Sequence, residues 1–144
     1  MKLEDIIKDS AADWQRFSPA KPEALRALRC AWDNELPEEY LAFLSQTDGG
    51  EGELPVQPFW FQIWPSDKVV EHNESYEAKE HLPGFLGFGN SGGGELLAFD
   101  TRQGKPWKIV GVPFIPMEAK EAVFVCKDFM SFARLMGKKA ETVN

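Results

Sequence analysis

Apolar positions in the first part of the chain recur with the 3.6-residue period of a helix, and they predict three helices. The second begins at Pro22, because proline is favoured at the first helical position, and extends to about Asp33. The third begins at Pro37 and is expected to end at Gly49 and Gly50, which can adopt the left-handed conformation. The first helix is predicted to present one stripe formed by Leu3, Ile6, Ile7, Ser10, Ala11 and Trp14. The third is predicted to bury Tyr40, Leu41, Phe43 and Leu44.

The second part of the chain changes to short aromatic and β-branched runs that are typical of strands. Phe59–Trp64 lies between Pro58 and Pro65, which predicts a short strand near a sheet edge. Ser66 is the expected N-cap of a following helix, and Asp128 begins the last helix. Further strands are predicted at 84–89, 95–100, 107–110 and 122–126, with a hairpin turn at 101–104. The last helix is expected to present Phe129, Phe132, Ala133 and Met136 and to end at Gly137.

This order of elements predicts an α+β fold with a mostly antiparallel sheet packed against several helices. The 144 residues suffice for one domain with a sizeable core, so 1–144 is predicted as a single domain with a polar tail over 138–144. The charged N-terminus and the lack of a long apolar run predict a cytoplasmic protein without a membrane span. Cys30 and Cys126 are expected to be buried thiols rather than a disulfide or zinc ligands.

Acidic residues are concentrated in the middle of the chain. The net charge is −7, and the segment Leu36–Asp100 holds twelve acids against two lysines. Such a segment repels phosphate backbones, so direct binding of nucleic acid is not expected. It favours a basic protein partner, because complementary charge speeds encounter, although the same charge could simply keep the protein in solution.

No motif in the sequence carries a chemistry. Residues 87–92 match G-x-G-x-x-G, but the glycines lead into a strand instead of a helix, which indicates a structural turn. His72 and His81 lack a third ligand at metal spacing. The acids around residue 50 lack the register of a calcium loop, and no nucleophile elbow is present. The sequence therefore predicts no catalytic residues, no metal, no cofactor and no enzymatic activity.

Two phrases resemble a known family. The first is LPEEYLAFL at 36–44, leading to Asp48-Gly49-Gly50, and the second is GFGNSGGGELLAFD at 87–100. With the closing Phe-x-x-Phe helix, and in this order over 24–136, they resemble the SUKH superfamily, the group around the fungal cell-wall assembly regulators. The resemblance implies an α+β interaction domain without a shared catalytic set. The glycine-rich segment departs from relatives that carry an acidic residue beside these glycines.

What the resemblance implies about function is an immunity protein that binds a cognate bacterial toxin and blocks it. A cellular regulatory or scaffold module of the same fold, without a toxin partner, is the alternative. A small enzyme built on the acidic centre is a third hypothesis, which no acid–base pair in a recognisable motif supports.

The predicted partner-binding residues lie in an acidic loop and an aromatic strand. Trp60, Gln62 and Trp64 share the strand face opposite to Phe59, Phe61 and Ile63. Either both faces are covered, or one is left as an aromatic patch of the kind found at interface hot spots. Acids close in sequence could rim such a patch and meet a basic toxin domain. The candidates are Asp48, Glu51, Glu53, Trp60, Trp64 and Glu95.

Overall fold

The computed structural model describes residues 2–140. Over these residues the chain forms six α-helices: α1 (Leu3–Lys8), α2 (Pro22–Ala31), α3 (Glu38–Gln46), α4 (Val69–Ser75), α5 (Ala78–His81) and α6 (Phe129–Leu135). It also forms seven strands: β1 (Trp14–Arg16), β2 (Gly50–Glu53), β3 (Trp60–Ile63), β4 (Phe85–Asn90), β5 (Glu95–Asp100), β6 (Lys108–Pro113) and β7 (Val123–Cys126). A 3-10 helix covers Ala119–Glu121.

The strands form one antiparallel sheet in which each strand pairs with its neighbours along the chain, from β1 to β7. This confirms the predicted α+β class and the antiparallel sheet. Helices α2 and α6 and strands β4, β5 and β7 lie where the sequence predicts them, and β6 extends to Pro113. None of the helices in the described part of the chain has the length and apolar content needed to cross a membrane.

The core is an aromatic cluster between one face of the sheet and the helices α3 and α6. The ring centroid of Tyr40 on α3 lies 5.2 Å from that of Phe99 on β5 and 5.5 Å from that of Phe129 on α6. Phe88 on β4 stacks on Phe99 with ring centroids 4.5 Å apart and meets Phe132 edge-on at 5.6 Å. All five side chains are fully buried. Aromatic pairs at these separations add to the free energy gained by burying their area, so this cluster fixes both helices on the sheet.

The first predicted helix is shorter than its apolar stripe, because α1 ends at Lys8 and Trp14 lies on β1. Asp9 accepts a hydrogen bond from the Ala11 amide, a local bond that competes with helix continuation. The Arg16 guanidinium then donates to carbonyls on both sides of the break. It reaches Ile7 O at 2.9 Å, Asp9 O at 2.8 Å, Ala12 O at 3.1 Å and Trp14 O at 2.7 Å.

The predicted role of Gly49 and Gly50 as a helix stop is wrong. Helix α3 ends at Gln46, and Gly50 begins β2. Gly49 has φ of 104°, and a Cβ there would lie 2.4 Å from the Ile63 carbonyl oxygen. A Cβ at Gly50 would lie 2.7 Å from the Trp14 ring. The glycines are therefore needed for close approach between β2, β3 and the indole of Trp14, rather than for ending the helix.

Three smaller expectations also fail. Strand β3 pairs with β2 on one side and β4 on the other, so it is not an edge strand. Ser66 does not cap α4, which begins at Val69. Cys30 is exposed, whereas Cys126 is buried, which raises the pKa of its thiol to about 12; both thiols are free. Of the predicted polar tail at 138–144, residues 141–144 lie outside the described residues.

Helix α4 is attached to the sheet through one buried asparagine. Strand β3 pairs with β4 only at its Asn90 end, which leaves the Gly87 backbone without a strand partner there. Asn73 on α4 takes that place: its Nδ2 donates to Gly87 O at 2.8 Å, and its Oδ1 accepts from Gly87 N at 2.9 Å. Nδ2 also donates to Val69 O at 2.7 Å. The amide thus satisfies a buried backbone pair that the sheet does not.

We expect Tyr40→Phe to stabilise the protein. The Tyr40 hydroxyl is buried without a hydrogen-bond partner among the described residues, and burial raises its pKa. Since an unpartnered buried hydroxyl costs about 1–3 kcal/mol, its removal should raise the free energy of unfolding by about 1 kcal/mol in urea denaturation. Phe43→Ala, which leaves a cavity in the same cluster, should lower that energy by about 3–5 kcal/mol. A lower stability of Tyr40→Phe would contradict this account of the hydroxyl.

Asn73→Ala should lower the free energy of unfolding by about 2–4 kcal/mol, because it leaves the buried Gly87 amide and carbonyl unpaired. The matched control is Gln62→Ala, which removes a single half-buried hydrogen bond to Glu51 and should cost less than about 1 kcal/mol. Equal losses in urea denaturation would mean that Asn73 does not hold α4 to β4.

The contribution of Asp100 to stability should depend on pH. Asp100 has a buried carboxylate that accepts two hydrogen bonds of 3.0 Å from Arg102, and these bonds lower its pKa. The carboxylate therefore stabilises the fold above its unfolded pKa of about 3.9, and this contribution is lost as the pH falls through the lower folded pKa. Asp100→Asn should lower the free energy of unfolding by about 1–2 kcal/mol at pH 7. The loss is modest because Arg102 is half-exposed and solvent screens its interaction with the carboxylate.

The difference between Asp100→Asn and wild type should shrink progressively as the pH falls below about 4, because the wild-type carboxylate becomes protonated as the pH falls through its lowered folded pKa. Urea denaturation at pH 7, 5, 4 and 3 measures it, with the exposed Glu4→Gln as the control. A difference that stays constant across this range would show that the charge of Asp100 is not what stabilises the fold.

Candidate functional site

Three of the predicted partner-binding residues come together on strands β2 and β3. The register pairs Glu51 with Gln62 and Glu53 with Trp60, and cross-strand partners share a face of the sheet. Glu51 Oε2 accepts a hydrogen bond of 3.1 Å from Gln62 Nε2. Trp60 is 37% exposed, and both carboxylates are half-buried. We call Glu51, Glu53, Trp60 and Gln62 the β2–β3 surface.

The glycine-rich turn between β4 and β5 packs against this surface. Gly92 has φ of 75°, and a Cβ there would lie 2.9 Å from Cδ1 of Trp60. Asn90 Oδ1 accepts from the Gly92 amide at 2.8 Å and holds the turn. The G-x-G-x-x-G match is therefore structural, as the sequence predicts: residues 87–90 are the end of β4, with a register shift between Gly87 and Gly89, and 91–94 form the hairpin turn into β5. Its glycines let the backbone lie close to the Trp60 indole.

The other three predicted residues do not join this surface. Trp64 is only 5% exposed. Its ring centroid lies 4.6 Å from that of His72 and 6.1 Å from that of Tyr76, so these two side chains cover it. Asp48 Oδ1 accepts from the Ser66 amide at 2.7 Å and ties the start of β2 to the segment before α4. Glu95 lies on the face of β5 opposite to that of Leu96 and bonds Ser91 Oγ at 3.1 Å.

A larger feature is a groove of about 1030 Å³ between the C-terminal end of α2, the helices α4 and α5, and strand β4. Asn73, which joins α4 to β4, lies in its wall. Its apolar lining includes Trp32, Val70, Leu82, Phe85, Leu86 and Trp107. Its charged lining consists of Asp33, Glu35, Glu74, Glu77, Glu80 and the single cation Lys79. We call this feature the acidic groove.

The carboxylates of the acidic groove are exposed and differ in their partners. Glu35 pairs with Lys105 at 3.3 Å, and Glu77 lies 3.4 Å from His81 Nε2. Within residues 2–140, the remaining three acids form no ion pair, namely Asp33, Glu74 and Glu80. No group of three or more potential metal ligands comes together in the described part of the chain. The arrangement can attract a cation but offers no chelating cluster.

Sequence reasoning missed the acidic groove. Asp33 and Glu35 precede the acidic segment, and Trp32 and Trp107 are far apart along the chain, so no local pattern joins them. One signal was present: Glu74, Glu77 and Glu80 recur every third residue, which favours neighbouring positions if the segment is helical. The spacing does not predict the turn between α4 and α5, where Glu77 has φ of 54°.

Comparison with known proteins gives a family. Residues 19–134 match the family described as SMI1 / KNR4 family (SUKH-1), which covers most of the chain and agrees with the resemblance noted over 24–136. No curated protein matches the chain. The family is generally non-catalytic and includes immunity proteins. The chain belongs to the SMI1 / KNR4 family (SUKH-1).

Proposed function

We propose that this protein is a non-catalytic protein-binding domain that acts as an immunity protein, neutralising a bacterial toxin by binding a basic surface of it. Family membership supports the general role, because the family includes immunity proteins. The structural observation that carries the proposal is the combination of carboxylates with accessible aromatic side chains. Glu51 and Glu53 lie beside Trp60, and the acidic groove repeats the combination on a larger scale.

Each component suits one part of a binding reaction. Exposed carboxylates raise the association rate with a basic partner and are screened over about 10 Å at 0.1 M salt. An aromatic side chain such as Trp60 supplies contact area that slows dissociation. Neither component requires a metal, a nucleotide or a reaction at the surface, in agreement with a role in binding alone.

The direct test is the product of the gene adjacent to that of this protein. We expect co-expression of this protein to restore the growth of cells that the neighbouring product inhibits, and the two purified proteins to form a complex whose association slows as salt rises. The absence of both rescue and binding would reject the toxin partner. A complex with a partner that does not inhibit growth would favour a regulatory or scaffold module instead.

Variants of the β2–β3 surface separate the two components. Charge reversal by Glu51→Lys with Glu53→Lys should lower the association rate mainly at low salt. Trp60→Ala should raise the dissociation rate at every salt concentration. The control pair Glu118→Lys with Glu121→Lys changes the net charge equally at exposed positions away from this surface. Surface-based kinetics at two salt concentrations measures all three, and equal effects of the two charge pairs would assign the change to net charge alone.

A further inference from the structure

We infer that the acidic groove is the docking site for a short basic segment of a partner protein, with two or three Arg or Lys residues around one aromatic or long aliphatic side chain. This inference rests on the proposed function, since it assigns a place and a chemistry to the partner. Three features of the groove support it: its volume, its apolar lining and its charge.

The size of the groove fits a chain segment better than a single side chain. A volume of about 1030 Å³ slightly exceeds the range of roughly 300–1,000 Å³ that is typical of small-molecule sites. Four elements enclose it, because α4 is held beside β4 by Asn73 while the end of α2 lies across from it. The space is therefore formed by the packing of these four elements.

The apolar lining provides a place for an anchor side chain. Leu82 and Phe85 are buried, whereas Trp32, Val70 and Leu86 are only half-buried and keep apolar surface that a ligand can cover.

The charge of the rim selects a cation. Three carboxylates, those of Asp33, Glu74 and Glu80, have no ion-pair partner in residues 2–140, and they border an apolar floor that lowers the local dielectric. Arg suits this site particularly well, because its planar guanidinium can bind a carboxylate in a bidentate manner and stack on an indole. An acidic or phosphorylated segment would be repelled by the same rim.

The test uses a fluorescein-labelled 12-residue peptide of alternating Arg and Leu, with Glu/Leu and Gln/Leu peptides of the same length as comparisons. The groove variant carries Asp33→Asn, Glu74→Gln and Glu80→Gln. Asparagine tolerates the left-handed conformation of Asp33, which has φ of 53°, so the fold should be kept. The control variant carries Glu4→Gln, Glu118→Gln and Glu121→Gln, which changes the net charge by the same amount at exposed positions outside the groove.

We expect the Arg/Leu peptide to bind wild type and the control variant within about twofold of each other, and to bind the groove variant about tenfold more weakly at low salt, a loss of about 1.4 kcal/mol. Trp32→Leu should weaken binding at low and high salt alike, because it removes aromatic contact instead of charge. Equal weakening of the groove and control variants, equal binding of the Glu/Leu peptide, or no binding of the Arg/Leu peptide to wild type would each overturn the inference.

The adjacent-gene product provides the second arm and separates this inference from the proposed function. Weaker binding of that product by the groove variant than by the control variant would support the groove as its docking site. Unchanged binding by the groove variant, with weaker binding by Glu51→Lys and Glu53→Lys, would overturn the groove assignment and leave the proposed function in place. No binding by wild type would reject the toxin partner, and the peptide titration would still decide whether the groove takes a basic segment.

Discussion

The aromatic cluster between the sheet and the helices α3 and α6 is the interaction on which the rest of the structure depends. Tyr40 brings α3 onto β5 through Phe99. Phe129 packs α6 against Tyr40, and Phe132 packs it against Phe88 on β4. Because these rings are packed edge-to-face and fully buried, the two helices have little freedom to slide on the sheet. One side of the sheet is thereby occupied, and α4 is attached elsewhere, at the length of β4 that β3 leaves unpaired. The hydrogen bonds of Asn73 hold α4 to this length of β4, alongside the packing of Val69 in the core, and the groove remains where α2, α4 and β4 do not close on one another.

The parts of the fold that follow from local patterns could be predicted from the sequence. Helices that begin at Pro22 and beside Pro37, and strands with continuous apolar runs such as 95–100, carry their signals within a few residues. Strands β1 and β2 could not be predicted in this way, because Gly50–Glu53 has no apolar side chain and becomes a strand only by pairing with β1 and β3. Trp14 was assigned to a helix since its spacing fits one, but the bonds of Arg16 to four carbonyls favour a turn before it.

The candidate site residues also differ in whether local sequence patterns could predict them. Glu51, Glu53 and Trp60 are close in sequence, and that proximity was enough to group them. Their placement on one face of the adjacent strands β2 and β3 could not be predicted, because it depends on the pairing of β2. The burial of Trp64 depends on His72 of α4 and on Tyr76 directly after that helix, and no pattern near residue 64 contains that information. The acidic groove depends wholly on tertiary placement, because its lining comes from α2, α4, α5, β4 and the residues Thr101 and Trp107.

Backbone strain connects the two candidate surfaces. Among the described residues, four that are not glycine have positive φ: Asp33, Asn34, Phe59 and Glu77. Asp33 and Glu77 line the acidic groove, Asn34 is the next residue after Asp33, and Phe59 directly precedes Trp60 on the β2–β3 surface. For Phe and Glu this conformation costs roughly 1 kcal/mol or more, which glycine would avoid. Unpaired carboxylates on the groove rim add repulsion that a stable surface would also avoid. Local rules that are broken for no gain in stability are expected at functional positions, and here the breaks lie at or beside the two surfaces that we propose for binding.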